Sequence, residues 1–213
     1  MEGREFGHVL AAMLMMFVVS VFGFVLVRGD VSSISQVFVF SVVVVGVPVF
    51  VKKAVAYLLD SSVEHEIWMV KKFGFSKKST FKKGIPFGVL VPLVFSVASL
   101  GLVKVMTFLT YETSALKQRA AKRFGHYSYT SMTDWHNGLI GVSGVISLLV
   151  LSVVGYLPGW EVLAKMAAYS AFWNMIPIAK LDGTQIFFGS RVLWTVLAVT
   201  SLIFALFAVL IIV

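Results

Sequence analysis

The sequence predicts an all-α polytopic membrane protein with about five spanning helices and a re-entrant hairpin. Of its 213 residues, 59% are hydrophobic and only 13% are charged. The mean hydropathy is +0.94, far from the value of a soluble domain. Apolar runs long enough to cross a bilayer alternate with short polar segments that hold most of the lysines and arginines. No internal repeat divides the chain, so residues 1–213 are predicted to form a single transmembrane domain.

The apolar runs predict the helices in order along the chain. A spanning helix needs about 20 apolar residues, and residues 7–27 and 191–213 have this length as the first and last spans. Between them, three core helices are predicted at approximately 36–72, 138–157 and 160–178. The first core helix is longer than one bilayer crossing, so we expect it to protrude from the membrane or to kink at Pro48.

Residues 84–110 are apolar but contain two prolines and Lys104, and the distribution of charge predicts a hairpin there. If this segment crossed the membrane once, the six lysines of residues 71–83 and the four basic residues of 117–123 would lie on opposite faces. If it enters and returns, both clusters share one face, which the preference of Lys and Arg for the cytoplasmic side favours. The hairpin also places the end of the first core helix on the same side as Asp182.

Composition restricts the chemistry and the partners. The chain has no cysteine, which excludes disulfides, thiolate metal ligands and thiol nucleophiles. The net charge of +8 resides mainly in loops between apolar runs, which predicts contact with anionic lipid headgroups and no nucleic-acid partner. The expected partners are the lipid bilayer and transmembrane segments of other membrane proteins, and the expected location is a cell membrane crossed several times.

The strongest functional signal lies in residues 171–184. An apolar helical approach is followed there by Asn174, Pro177, Asp182 and Gly183. Pro177 has no amide hydrogen, so the helix should kink or end near it. Backbone groups freed at membrane depth require surrounding protein or a water-filled cavity. A carboxylate at that depth costs about 2.5–3.5 kcal/mol on insertion scales, and it therefore marks a functional site by default.

The spacing Asn-x-x-Pro-x-x-x-x-Asp-Gly resembles the second active-site motif of the site-2 protease family, which are intramembrane zinc metalloproteases. The resemblance implies a site-2-protease-like core. It also implies that Asp182 occupies the place of the third zinc ligand, while Asn174, Pro177 and Gly183 shape the broken helix around it.

A second stretch, residues 138–147, resembles the opening of the family's middle core helix. Gly138, Gly141 and Gly144 recur at every third position and predict a face against which another segment packs closely. Val145 stands where the family has proline, and the asparagine expected soon afterwards is also missing. The chain therefore keeps the residues that shape the family's helices better than it keeps the family's polar residues.

The family's zinc-binding helix carries His-Glu-x-x-His, and this chain departs from that motif. Two histidines one helical turn apart hold the zinc, and the glutamate beside the first is the general base. Here His65-Glu66 is followed by Met69 in place of the second histidine, and no other register restores the motif. The candidate metal ligands are His65, Asp182, Glu64 and Asp60, with Glu66 as a catalytic base only if the protein is active. The alternative is a membrane-end helix that carries charge.

Lys52 and Lys53 lie inside the first core run, where an unpaired ammonium group is unfavourable. One interpretation is that a lysine leans toward the carboxylates of Asp60, Glu64 or Asp182. It would then supply positive charge where family members hold zinc. The alternative is that both side chains extend toward the lipid headgroups.

Two functions follow from the resemblance. The first is a non-catalytic pseudoprotease without a cofactor, which keeps the kinked core, receives a transmembrane segment and acts as a scaffold or subunit of a membrane complex. The second is an active intramembrane metalloprotease with an altered ligand set. His65 and Asp182 would bind zinc with a third ligand from Glu64 or Asp60, and Glu66 would activate a water. A catalytic zinc takes three protein ligands, and only one histidine is near, so the first is favoured. A transporter is a third alternative, indicated only by the broken helix with a carboxylate.

Overall fold

The computed structural model describes residues 2–26, 33–72, 80–101, 104–116 and 132–210. Most of the two basic clusters lies outside these residues. The described residues are mostly helical, at 73%. Its helices are α1 Glu2–Ser20, continued by a π-helical segment at Val21–Leu26, α2 Ile34–Leu58, α3 Phe87–Ala98, α4 Asp134–Tyr156, α5 Glu161–Asn174, α6 Asp182–Gly189 and α7 Arg191–Leu210.

Four helical segments in the described part of the chain are long and apolar enough to cross a membrane. They are Arg4–Phe24, Ile34–Leu58, Asp134–Tyr156 and Arg191–Leu210. This identifies a membrane protein, with four such helices where the sequence predicts about five. The predicted span that is missing from these four is the core helix at 160–178, which corresponds to α5. It has only 14 residues, too few to span a bilayer alone, and all positions from Leu163 to Ala171 are buried.

Helix α4 forms the centre of the molecule and packs against α2, α5 and α6. Small residues allow these close approaches. A Cβ at Gly155 would lie 3.0 Å from the backbone nitrogen of Ala164 in α5, and one at Gly138 would lie 3.3 Å from the carbonyl oxygen of Gln185 in α6. The predicted face of Gly138, Gly141 and Gly144 is confirmed as a packing surface, because a Cβ at Gly141 would lie 3.0 Å from Ile186 Cγ1 and one at Gly144 would lie 2.2 Å from Lys52 Cε.

The first core helix was predicted to continue to residue 72, and this prediction is wrong beyond Leu58. Asp60 adopts a left-handed conformation with φ of 51°, which ends the helix and which Asp tolerates better than most residues. The chain continues as strand β1, Ser61–Ile67, whose alternate residues are buried. That two-residue period, with Val63 and Ile67 inward, is typical of a strand and not of a helix.

In the part of the chain that the structure describes, four short strands form two antiparallel pairs. Strand β1 pairs with β4, Leu109–Ala115, and strand β2, Met69–Lys72, pairs with β3, Thr80–Pro86. These strands lie at the end of the molecule where α1 and α4 begin and α2 ends. We call this the sheet end.

The segment predicted as a hairpin, residues 84–110, starts and finishes at the sheet end. The backbone of Trp68 is bonded to both of its ends: the Trp68 oxygen accepts from Gly88 N at 3.0 Å, and its nitrogen donates to Phe108 O at 3.4 Å. Between these points α3 has 12 residues, followed by a turn at Gly101 with φ of 80°. The two ends of this segment therefore lie side by side, as a hairpin requires.

Candidate functional site

An ion pair between Lys52 and Asp182 lies at the centre of the protein. The Lys52 Nζ is 2.6 Å from Oδ2 and 2.7 Å from Oδ1 of Asp182. The two side chains are only 5% and 2% exposed. Both carboxylate oxygens are therefore engaged by one ammonium group in a site shielded from solvent.

Four elements of the fold position this ammonium group. Lys52 lies in the last third of α2, and Asp182 is the first residue of α6, where the helix dipole stabilises a negative charge. Gly144 of α4 leaves room for the lysine, because a Cβ there would lie 2.2 Å from Lys52 Cε. The ring of Tyr111 on β4 lies 4.8 Å from Nζ, close enough for a cation–π contact.

The motif of residues 174–183 forms the connection between α5 and α6, and this connection places Asp182 next to Lys52. Helix α5 ends at Asn174, and a non-helical segment containing Pro177 connects it to α6. Gly183 packs directly on the end of α5, because a Cβ there would lie 2.2 Å from the Met175 carbonyl oxygen. That oxygen also accepts a hydrogen bond of 3.0 Å from Trp194 Nε1. The predicted break in the helix is confirmed, and Gly183 is required for its geometry.

His65 is buried on β1 and is bound to Glu5 of α1. The backbone nitrogen and Nδ1 of His65 lie 3.2 and 3.1 Å from Glu5 Oε1. Burial, together with the charge of Lys52, lowers the pKa of His65 from 6.5 to about 4, although Glu5 opposes the shift. The imidazole is therefore neutral at pH 7. Because a carboxylate only accepts hydrogen bonds, Nδ1 carries the proton and Nε2 is a bare acceptor.

The lowered pKa of His65 predicts a loss of stability in mild acid. Below pH 6.5 the unfolded chain gains a proton on His65 that the folded protein does not bind until about pH 4. The free energy of unfolding should therefore fall across this window, by about 3 kcal/mol for this group. Thermal unfolding of detergent-solubilised wild type and His65→Gln, followed by tryptophan fluorescence from pH 7.5 to 4.5, measures the difference.

Carboxylate protonation also destabilises proteins in this range, so the comparison between variants is the decisive quantity. The His65→Gln protein should have a shallower pH dependence than wild type. Parallel curves for wild type and His65→Gln would contradict the assignment of a buried neutral imidazole.

A small cavity adjoins the ion pair and has about 40 Å³ open to water-sized molecules. It is lined by Lys52, His65, Ser170, Asn174 and Asp182, with apolar residues of α1, α2 and α4. Among the residues that the structure describes, the buried His65 Nε2, Ser170 Oγ and Asn174 Oδ1 have no hydrogen-bond partner. A cavity of this size holds one to a few water molecules, and these atoms are suitable partners for them.

The structure brings together only part of the predicted ligand set. His65 and Asp182 line the same cavity. Glu64 and Glu66 flank His65 on a strand, where neighbouring side chains point to opposite faces. They line a second cavity, which His65 also lines but Asp182 does not. Asp60 lies in the turn that ends α2. In the described part of the chain, no three His, Asp or Glu side chains form a group able to hold a metal ion.

Sequence reasoning anticipated a lysine near the carboxylates but did not decide which one. Lys52 makes the contact, while its neighbour Lys53 extends to Glu5 with an Nζ to Oε2 distance of 2.9 Å and remains 46% exposed. Glu5 and Tyr111 were missed altogether. The alternation in residues 61–67 was the available signal for Tyr111, because a strand there requires a partner strand.

Comparison with protein-family models, with curated proteins and with solved structures finds no match to this chain. The geometry around Lys52 and Asp182 is therefore the basis for proposing a function.

Proposed function

We propose that this chain is a site-2-protease-like membrane protein without proteolytic activity, which serves as a scaffold or subunit of a membrane complex. The ion pair between Lys52 and Asp182 is the observation that carries the proposal. The resemblance assigns a zinc ion to the position beside Asp182, and in this protein an ammonium group lies there at 2.6 Å. The positive charge of Lys52 thus balances the negative charge of Asp182.

The donors around Asp182 do not fit a catalytic zinc ion. Both of its oxygens are engaged by Lys52, and the lysine charge would repel a divalent cation at the same point. The other donor expected from the resemblance is the bare Nε2 of His65. One imidazole and one occupied carboxylate are fewer than the three protein ligands of catalytic zinc sites.

The scaffold role is supported by the features that the chain keeps. The α5–α6 break persists, and the buried ion pair holds it against α2. A buried ion pair seldom makes a protein more stable than apolar residues of the same size would. One of its established roles is to favour a single packing arrangement of the helices that carry it. In this protein we infer that the ion pair sets how α2, α4 and α6 assemble.

Surfaces suited to partner helices surround this rigid centre. Large apolar side chains of α7 are exposed, among them Val192 at 73% and Leu210 at 76%. Exposed apolar surface of this kind faces lipid or transmembrane segments of other proteins. The proposed location is a cell membrane that the chain crosses several times, with residues 84–110 as a re-entrant hairpin.

The topology predicts which positions share a face of the membrane. The chain has no native cysteine, so single cysteines can be introduced cleanly. Met69→Cys and Glu112→Cys, on either side of the hairpin, should react with a membrane-impermeant maleimide from one face. Leu157→Cys, after the intervening span α4, should react from the other. Labelling of positions 69 and 112 from opposite faces would contradict the hairpin.

The proposed function is tested by metal content and by proteolysis together. Protein purified without chelators should contain far less than one zinc per chain, and co-expressed transmembrane substrates should remain intact. Neither Asp182→Ala nor Glu66→Gln, at an exposed position, should change the zinc content or the cleavage of the substrates. The protein should co-purify within a larger membrane assembly. Stoichiometric zinc, with cleavage abolished by Glu66→Gln or Asp182→Ala, would establish the metalloprotease instead.

A further inference from the structure

The return limb of the hairpin, residues 104–108, crosses the interior of the protein without forming a helix or a strand. It is nevertheless deeply buried, because Val105, Met106, Thr107 and Phe108 are between 0% and 7% exposed. A spanning helix satisfies its own backbone hydrogen bonds, whereas an irregular segment at membrane depth needs surrounding protein or water for them. The backbone of this limb therefore depends on its neighbours.

Hydrogen bonds hold the two ends of this limb but not its middle. Trp173 Nε1 donates to the Lys104 carbonyl oxygen at 2.9 Å. Phe108 N donates to Gly88 O at 3.3 Å, and Phe108 O accepts from Trp68 N at 3.4 Å. Among the hydrogen bonds between described residues, none involves the backbone of the three residues in between. A run of buried peptide groups thus has no partner within the described part of the chain.

Such a run is unusual in a folded protein, where more than about 90% of buried backbone N–H and C=O groups are paired. Each unpaired group loses its hydrogen bonds to water on burial and gains none in return. A local opening that returns these groups to water therefore offsets part of the cost of breaking the apolar contacts. Segments with few hydrogen bonds are the places where proteins open locally while the rest stays folded.

The limb separates the ion-pair cavity from an aromatic cluster beneath the hairpin. On one side, Thr107 lines the cavity beside the ion pair. On the other side, the Phe108 ring lies against Trp68 and Trp173, with ring centroids 6.1 and 6.4 Å apart. Phe108 also belongs to a buried cluster with Leu181, which directly precedes the carboxylate of the ion pair. Displacement of the limb would therefore open the wall of the cavity on the hairpin side.

We propose that residues 104–108 form a strap that closes the ion-pair cavity and opens locally, with the spans intact, to admit a segment of a partner protein. The aromatic cluster and the two anchored ends hold the closed state. The backbone groups without partners in the middle of the strap lower the cost of the open state. The opening is inferred from this structure alone, whereas the nature of what enters rests on the proposed scaffold function.

Hydrogen–deuterium exchange of the detergent-solubilised protein, measured by mass spectrometry of peptic fragments, tests the opening. Amides of residues 105–107 should exchange at least about tenfold faster than those of Ile140 and Val145, which are both 0% exposed in helix α4. Trp173→Phe keeps an aromatic ring but removes the indole hydrogen bond to the strap. This variant should accelerate exchange in the strap about fivefold, the effect of one hydrogen bond, without changing exchange in α4.

Trp194→Phe is the matched control. It removes an indole hydrogen bond of 3.0 Å, to the Met175 carbonyl oxygen, that does not involve the strap. Exchange in the strap should keep the wild-type rate in this variant. Strap amides that exchange as slowly as those of α4, or equal effects of the two tryptophan variants on the strap, would overturn the proposal.

A thiol in the strap tests the opening by a method independent of amide exchange. The chain has no cysteine, and Met106 and Ala167 are both 0% exposed in the same apolar cluster. Met106→Cys should react with N-ethylmaleimide at a measurable rate, which Trp173→Phe should increase. Ala167→Cys, on helix α5, should stay unreactive in both backgrounds. Reaction of both cysteines at one rate would indicate general loosening of the protein and overturn the strap.

The role of the strap is tested on the assembly that co-purifies with the protein. Trp173→Phe should increase the recovered amount of partner, and Trp194→Phe should leave it unchanged. A strap that opens faster without any change in partner recovery would overturn its control of access. The exchange and thiol measurements use this protein alone, so their failure is distinct from failure of the scaffold proposal, which zinc content and substrate cleavage test. If Trp173→Phe fails to fold, the wild-type exchange and the Met106→Cys reaction still decide whether the strap opens.

Discussion

Lys52→Met is expected to lower the melting temperature of the detergent-solubilised protein by on the order of 10 °C. The substitution leaves the Asp182 carboxylate 2% exposed with its ionic partner removed. Breaking a buried ion pair on one side costs about 3–5 kcal/mol, and in a chain of this size each kcal/mol corresponds to about 2–4 °C. Thermal unfolding followed by tryptophan fluorescence measures the change.

Two further variants distinguish the effect of breaking the ion pair from the effect of removing any lysine. Lys52→Met combined with Asp182→Asn removes both charges and should recover part of the lost stability, because the uncompensated charge is the main cost. Lys53→Met removes the neighbouring lysine, which is 46% exposed and paired with Glu5, and should cost at most about 1 kcal/mol. Equal effects of Lys52→Met and Lys53→Met would show that the buried pair has no special role in the fold.

Gly183→Ala is expected to destabilise the protein by about 1–3 kcal/mol and to disturb the position of Asp182. A Cβ at this position would lie 2.2 Å from the carbonyl oxygen and 2.4 Å from the carbonyl carbon of Met175. Backbone atoms cannot rotate away as a flexible side chain can, so α6 must move from the end of α5. The melting temperature should fall by several degrees.

Gly46→Ala provides the matched control. A Cβ at Gly46 would be 3.6 Å from Met13 Cε, an ordinary contact, and alanine is the better helix former by up to about 1 kcal/mol. This variant should therefore be as stable as wild type or more so. A Gly183→Ala protein with wild-type stability would contradict the close packing of α6 on the end of α5.

The long apolar spans could be predicted because they depend on composition alone. A helix is the structure in which a single segment satisfies its own backbone hydrogen bonds in lipid, so length and hydropathy sufficed for α2, α4 and α7. Helix α5 was predicted too long because the chain stays apolar through Met175 and Ile176. At Met175 the backbone meets later helices of the chain, because its carbonyl oxygen packs against Gly183 and accepts a hydrogen bond from Trp194 Nε1.

Residues 61–67 were predicted as the continuation of the first core helix, but they form strand β1. Their alternation was visible, but a strand is stable only beside a partner, and the partner is β4, more than 40 residues later in the chain. Once β1 is a strand, His65 and its neighbours Glu64 and Glu66 point to opposite faces. The helical spacing on which the predicted ligand set depended is thereby lost.

The sequence by itself determined the membrane class, the break after Asn174 and the importance of Asp182, because each depends on local residue type: long apolar runs, a proline, and a carboxylate in hydrocarbon. Only the tertiary structure decided that Lys52 is the partner of Asp182 while Lys53 turns to Glu5. The two lysines are adjacent, so no local preference distinguishes them. Their environments differ because neighbouring residues of a helix face different directions, and Gly144 leaves space on only one of those sides.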